Sequence, residues 1–344
     1  MQYLRARDIA ASVPTRRFYE EPYVAYLYNG PLMVEGKIGP SAGSAIADCK
    51  ATSVKKALSE MVDRRALMVN ASVPSTVDLP TWDIVTGERS SLPAQFLTYH
   101  GSLPNPVDTT GTAAHPNSSG AIVSAVLELI EKNAMFLWWY GLEGVRLPAE
   151  IFAANRYCRL FARSGLNVNA YAITTFHPLV AVFVVAHSAL TNVLLVGRGV
   201  DVGLGSATEH AFQEAFLLGW ARVSERLDPV ARSQWLTVDD EVTQRIRHLA
   251  TKRVAYMPYT ESTIFREDQY LVTIRRALPS WVSSLHIAML RQDALPLRCV
   301  KAFSYELYNH RVAGKYITSD RRINQMTLNL SDRQMEAVPP CPLT

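Results

Sequence analysis

The segment from Gly120 to Tyr140 reads GAIVSAVLELIEKNAMFLWWY and sets how the rest of the chain is parsed. It holds no proline, it is made of good helix formers, and it is among the most apolar stretches of the sequence, so it is expected to form one long helix. Two acids interrupt it. Glu128 and Glu131 stand three residues apart and so project from one helical face, among Val126, Leu127, Leu129, Ile130, Phe136 and Leu137. An unpaired carboxylate in that setting is costly, which makes the pair stand out.

Working outward, an octet inside this helix, Ala125 to Lys132, has relatives on both sides. Upstream lies Ala57 to Arg64, with Glu60 and Asp63 three apart. Downstream lies Ala215 to Arg222, whose corresponding positions carry no acids. The shared form is a small residue, an apolar residue, two positions three apart that are acidic in the first two copies, and a final basic residue. Two such helices brought together present four carboxylates at one locus. Hard oxygen ligands of this kind suit Mg²⁺, which commonly bridges protein carboxylates and nucleotide phosphates. The bland reading is a solvated helix face with local pairing to Arg64 and Lys132. Duplication on two distant helices, each after a Gly/Ser/Thr-rich stretch (Gly36 to Ser44, Thr109 to Gly120), weighs against it. Neither stretch fits the Walker or the G-x-G-x-x-G pattern, so an ordinary P-loop or Rossmann enzyme is disfavoured.

Around these landmarks the first ~50 residues read as mixed and turn-rich. A helix follows from about Lys50 to Met68, then strands and loops over 69–118, including Trp82 to Val85 and Gln95 to His100. Strands alternate with turns from Asn167 to Gly199, and a Gly-rich turn over Gly197 to Gly205 leads into a third helix from about Thr208 to Arg226. Polar helices near 238–252 and 261–277 precede a strand from Leu297 to Tyr305 and a Pro-rich tail, 338–344. Sheets alternating with long helices indicate an α/β or α+β fold, read as one domain with approximate subdomains 1–118, 119–235 and 236–344.

Composition narrows the class. With 344 residues, 48% hydrophobic and 19% charged, the chain has ample core and is not a disordered protein. A net charge of +4 without a basic tail disfavours nucleic acid. Cys49, Cys158, Cys299 and Cys341 lie far apart with no zinc-type spacing. The N-terminus lacks an apolar stretch of signal-peptide length, and no segment reads as a membrane span, so the expected setting is soluble and cytoplasmic.

Taken in order, these motifs resemble the YcaO family, ATP-using enzymes that modify peptide backbones, and most of all the cyclodehydratase subunit of azole-forming bacteriocin pathways. Glu60-Met61-Val62-Asp63-Arg64 is similar to the family's first E-x-x-E-R. Thr109 to His115 is similar to its turn, Ala121 to its small residue, and Glu128-Leu129-Ile130-Glu131-Lys132 to its second carboxylate motif. Ala211 to Ala221 is similar to its A-L-x-x-A-L-x-E-x-x-Q helix, with Leu218 and Ala221 where the family has Glu and Gln. Val300 to Ser304 is similar to its late strand, and the tail to its P-x-P-x-P end. Gly120 replaces the acid expected before Ala121, Thr110 replaces Asn, and Thr344 replaces the last proline.

The resemblance implies a YcaO-type fold, with helix-on-sheet subdomains repeated around a nucleotide site. ATP would bind through Arg64, Thr110, Gly111 and Lys132, with Mg²⁺ on Glu60, Asp63, Glu128 and Glu131, and Pro340, Pro342 and Thr344 beside the active site. It implies attack of a Cys, Ser or Thr side chain on the preceding carbonyl of a ribosomal precursor peptide, phosphorylation of the former amide oxygen by ATP, and elimination to a thiazoline or oxazoline. The implied partners are an E1-like leader-binding protein, an FMN-dependent azoline dehydrogenase and a second copy of the chain within a larger complex. Two other readings remain open: a non-catalytic scaffold of the same fold, and thioamidation or amidine formation by the same ATP chemistry. His115 offers proton transfer against a structural role in its turn, and Phe136 with Trp138-Trp139-Tyr140 a substrate groove against plain core.

Overall fold

The computed structural model describes residues 10–12, 22–28, 30, 32–34, 37–39, 42–99, 107–188, 193–223, 240–258, 267–292, 295–311 and 316–342. The strands are β1 (Ala10–Ser12), β2 (Tyr23–Tyr28), β3 (Leu32–Val34), β4 (Lys37–Gly39), β5 (Ala42–Ala47), β6 (Asp78–Asp83), β7 (Arg89–Pro93), β8 (Thr112–His115), β9 (Val145–Arg146), β10 (Asn167–Ile173), β11 (Val180–Ser188), β12 (Val193–Asp201), β13 (His286–Leu290) and β14 (Arg298–Phe303). The helices are α1 (Lys50–Val69), α2 (Ser118–Gly141), α3 (Arg156–Arg163), α4 (Leu204–Val223), α5 (Asp240–Ala250), α6 (Glu267–Ala277), α7 (Arg322–Met326) and α8 (Asp332–Glu336). The fold is mixed α/β, and its chain divides into two compact units.

The first unit takes in Met1–Lys132, Arg266–Arg311 and Arg321–Ile323. It holds a three-stranded antiparallel sheet, β1-β2-β5, and a five-stranded antiparallel sheet, β7-β6-β13-β14-β8. One apolar cluster joins Ala25, Leu27 and Ala45 to Ala57, Met61, Val62, Ala66 and Leu67, and these to Ala114, Leu290 and Cys299, so α1 is wedged between the two sheets. Strand β5 crosses α1 at Gly43, where a Cβ would sit 2.0 Å from the Ala57 carbonyl oxygen and 2.6 Å from the Met61 nitrogen. Within the stretch expected to be turn-rich, Ala42–Ala47 is therefore strand, and its glycine serves a close crossing.

The second unit takes in Asn133–Phe265, Val312–Asp320 and Asn324–Thr344. Its sheet is β12-β11-β10-β9, antiparallel throughout. Strand β11 is buried along almost its whole length, so both faces are covered and its sequence, VAVFVVAHS, reads as a continuous apolar run. On one face Trp138 of α2 stacks on Phe183, with centroids 4.8 Å apart and planes at 4°, and also meets Tyr171. On the other, Gly197 and Gly199 of β12 lie against α4, where a Cβ at Gly197 would come within 2.0 Å of the Ala211 carbonyl oxygen. The glycines expected to mark a turn from 197 onward thus belong to β12, which runs to Asp201 before α4 begins at Leu204. Phe136, Trp138 and Trp139 are fully buried, which makes them core residues.

One expected strand is absent. Between Gln95 and Tyr99 the chain forms a 3-10 turn, Ala94–Phe96, in which the Ala94 carbonyl accepts the N–H groups of Leu97 and Thr98 and the Thr98 hydroxyl; His100 lies outside the described residues. The strand expected at Trp82 to Val85 ends at Asp83, whose carboxylate accepts the Val85 N–H and turns the chain.

Candidate active site

The acids on α1 and α2 all belong to the first unit. Glu60 is held by the neighbouring edge strand, its Oε2 accepting the Ser44 N–H and its Oε1 pairing with Arg64 at 2.5 Å. Arg64 in turn donates to the Ala42 carbonyl at 2.6 Å. The pair so fixes how α1 meets β5. Three residues on from Glu60, Asp63 is only 8% exposed. Burial pushes its carboxyl well above the usual carboxylate range, and the charges of Glu60 and Glu128 push it further against the opposing pull of Arg64. Carboxylates of the two helices therefore share one electrostatic locus. Glu131 is half-buried and Lys132 buried on α2.

Helix α2 starts with Asn117 as its cap, the side-chain oxygen accepting the Gly120 N–H at 2.7 Å. A Cβ at position 120 would meet the His115 ring at 2.2 Å, so the imidazole fills the space a side chain would need. His115 Nδ1 accepts the Asn117 N–H at 3.3 Å, which favours the structural role for this histidine.

The turn before β8 is the most tightly tied part of the locus. Thr110 is 1% exposed, and its N–H donates to Asp108 Oδ1 at 2.8 Å. The other Asp108 oxygen accepts the Arg311 N–H. Gly111 has φ +71° and is pinched: its carbonyl accepts the Ala302 N–H, and a Cβ there would lie 3.5 Å from the Cβ atoms of both Ala302 and Leu129. Lys301, from the centre of β14, is fully buried and donates to the carbonyls of Asp108 and Thr110. Asp108 and Lys301 were not among the residues singled out from sequence. Asp108 carried a usable signal, an Asx turn in Asp-Thr-Thr-Gly. Lys301, alone between Val300 and Ala302, carried only its odd polarity.

In donor type, though not in convergence, the acids suit Mg²⁺. The donors are oxygens, as Mg²⁺ requires, and Asp63 is a buried acid whose ionised form calls for a cation. Among the described residues no three His, Cys, Asp or Glu side chains converge closely enough to hold a metal by themselves.

Comparison with the third octet corrects its register. The crossings at Gly43 and Gly197 meet Ala57 and Ala211 fourteen residues on, and then the nitrogens of Met61 and Ala215. Ala211, not Ala215, is therefore the counterpart of Ala57, and Glu214 is the counterpart of Glu60. Glu214 pairs with Arg198 of β12 at 3.7 Å, one residue past the crossing glycine, as Ser44 is on β5. The third helix does carry an acid, one turn earlier than expected.

The tail belongs to the second unit, where Trp139 Nε1 donates to the Pro339 carbonyl at 2.7 Å and Cys341 is fully buried. Pro340 is exposed and Pro342 half-buried; Thr344 lies outside the described residues.

The profile of the YcaO cyclodehydratase family, an ATP- and Mg²⁺-binding family, matches residues 75–289, well over half of the chain. The chain belongs to the YcaO family. No curated protein matches it. Among the solved structures similar in fold at low identity are the following three. A heterocyclase in complex with substrate and cofactor aligns with TM-score 0.74 and 14% identity over 97% of this chain and 55% of its own, so this chain spans about half the length of that protein. YcaO from Methanopyrus kandleri, bound with AMPPCP and Mg²⁺, aligns with TM-score 0.68 and 15% identity over 87% of this chain and 86% of its own. The E. coli microcin synthetase McbBCD complex aligns with TM-score 0.67 and 14% identity over 95% of each chain. The family's cofactors are ATP and Mg²⁺.

Proposed function

We propose that this chain is the ATP-dependent cyclodehydratase subunit of a peptide-modifying complex, converting Cys, Ser or Thr residues of a ribosomal precursor to azolines. The observation that carries the reading is buried Asp63, on which the charges of Glu60 from its own helix and of half-buried Glu128 from the other both act. Glu60, Asp63, Glu128 and Glu131 would hold Mg²⁺, with Arg64 and Lys132 offsetting phosphate charge and the Thr110-Gly111 turn presenting backbone to the nucleotide. ATP supplies the phosphoryl group that converts a poor leaving group, the amide oxygen, into a good one. The chain's own contribution is positional: Ser44 and Arg64 fix Glu60, Asn117 fixes the start of α2, and Asp108 with Lys301 fixes the turn. The tail, tied by Trp139, would border the substrate. A leader-binding E1-like protein and an FMN-dependent dehydrogenase would complete the complex in the cytoplasm. The heterocyclase and McbBCD likenesses favour azoline formation over thioamidation.

Calorimetry with Mg²⁺ and a non-hydrolysable ATP analogue tests the site directly. Wild type is expected to bind only with Mg²⁺ present, and Glu128→Gln to bind at least about tenfold more weakly, a loss of about 1.4 kcal/mol. Unchanged binding by the variant removes Glu128 from the site, and no binding by either protein favours the scaffold reading. Intact mass after incubation with precursor, partner and ATP then separates loss of water from exchange of oxygen for sulfur.

A further inference from the structure

We propose that the cleft between the β6–β7 turn and helix α6 is a docking site for a polypeptide carboxylate flanked by an aliphatic side chain.

Val85 of that turn and Val272, Arg275 and Arg276 of α6 line a cavity of about 340 Å³, all within the first unit. Its size is at the lower end for ligand pockets and leaves room for a few side chains. Spacings of three and four place Val272, Arg275 and Arg276 on one side of the helix, while Ile274 and Ala277 are buried and anchor it. The opposite wall is rigid. The Asp83 carboxylate accepts the N–H groups of Val85 and Leu285 and the Thr86 hydroxyl, and the Asp83 carbonyl accepts the Gly87 N–H. This acid, the nearest in sequence to Val85, is 5% exposed, and its oxygens are taken up by the turn rather than by an arginine.

Arg275 bridges the two walls, its Nη2 donating to the Val85 carbonyl at 3.0 Å. That single bond holds the guanidinium in place and leaves its other N–H groups to donate. Arg276 is exposed and makes no hydrogen bond or ion pair with any described residue. Two guanidiniums side by side, with no acid lining the cavity, suit a carboxylate that can accept paired N–H groups. The valines beside them, Val272 being 51% exposed, suit an aliphatic neighbour of that carboxylate rather than a bare phosphate. Basic residues in the last turn of a helix also favour its dipole. The dipole explains neither the bond from Arg275 across to the turn nor the exposed valine. A second copy of the same face would set arginine against arginine, so the occupant is a different polypeptide. None of the acids of α1 or α2 lines the cleft, and the inference stands apart from the proposed reaction.

Fluorescence anisotropy on the full chain tests it with three dye-labelled probes: Gly-Leu-Glu-Leu-Gly amide, its Gln counterpart, and Gly-Gly-Gly-Leu-Leu with a free C-terminus. At least one carboxylate probe is expected to saturate below about 1 mM and to bind at least about tenfold more tightly than the Gln probe. The tighter of the two identifies the source, a side chain or a chain end. Arg276→Gln is expected to remove the preference without moving the melting temperature, since the side chain is exposed, and Val272→Ser to weaken both carboxylate probes. Binding no tighter than that of the Gln probe, no saturation by either carboxylate probe, a preference that survives Arg276→Gln, or unchanged binding by Val272→Ser overturns the proposal. Displacement of the carboxylate probes by an equal concentration of inorganic phosphate also overturns it, because the cleft is then a general anion site.

Discussion

Asp63 is 8% exposed, with Glu60 one turn before it and Glu128 on another helix, and it holds its proton well above the usual carboxylate range. The linkage follows from the sign of that shift. Below the ordinary aspartate value both folded and unfolded chains are protonated and the contribution is complete. As pH rises toward the elevated folded value, the unfolded chain ionises first and stability is lost, by about 1.4 kcal/mol for each pH unit of displacement. Metal-free Asp63→Asn is therefore expected to be more stable than wild type near pH 7 and to show a flatter dependence between about pH 4 and 7. Urea unfolding at several pH values measures both, and parallel curves for the two proteins would falsify the shift. At this scale the sequence was readable where spacing carries meaning: two acids three apart on an apolar helix point one way whatever lies around them. Lys301 was not readable, because its role depends on which strand lies beside β14 and which helix covers its face, and neither is local information.

The helices were legible from propensity and apolar content, and α1 and α2 were placed within a residue or two of their ends. The glycines were misread. Gly43, Gly197 and Gly199 resemble turn residues in sequence, yet each serves a strand that passes directly over a helix backbone. A turn and a crossing both need the missing Cβ, and only tertiary structure tells them apart. Gly43→Ala and Gly197→Ala each force a methyl into a carbonyl oxygen at 2.0 Å, which the backbone can relieve only by separating strand from helix. Each is expected to cost about 1–3 kcal/mol or more. Chemical denaturation checks this, with Gly87→Ala as the contrast: φ is +81° there but nothing lies within 4 Å of an added Cβ, so only the backbone conformation is strained. The crossings also account for the small residue in the octet, since Ala57 and Ala211 are where the glycines land. That position is about packing, while the acids three and six residues after Ala57 are the ones proposed to hold the metal.

On the scale of the molecule, each unit repeats one plan, a helix laid over an antiparallel sheet, and the second also ties down the C-terminal tail. Trp139→Phe keeps the buried ring and deletes the donor to the Pro339 carbonyl. Loss of one such bond, about 1.4 kcal/mol, should raise the opening of the tail roughly tenfold. Cys341, fully buried in wild type, is then expected to react about tenfold faster with a thiol reagent while exposed Cys49 reacts at an unchanged rate. Equal rates at Cys341 would show that the tail is held by other contacts. The α/β class was legible from the alternation of patterns, whereas the way early and late segments interleave within one unit was not, because β6, β13 and β14 meet only after the chain has returned. The matched crossings have one further consequence, for chain length. Fourteen residues separate glycine from alanine in both copies, so the connection between them acts as a ruler. One residue inserted between Asp48 and Lys50 would turn α1 by about 100°, carrying Glu60 away from Ser44 and Asp63 out of the locus. Substitutions can accumulate along these spans, but gain or loss of residues has to be accommodated elsewhere.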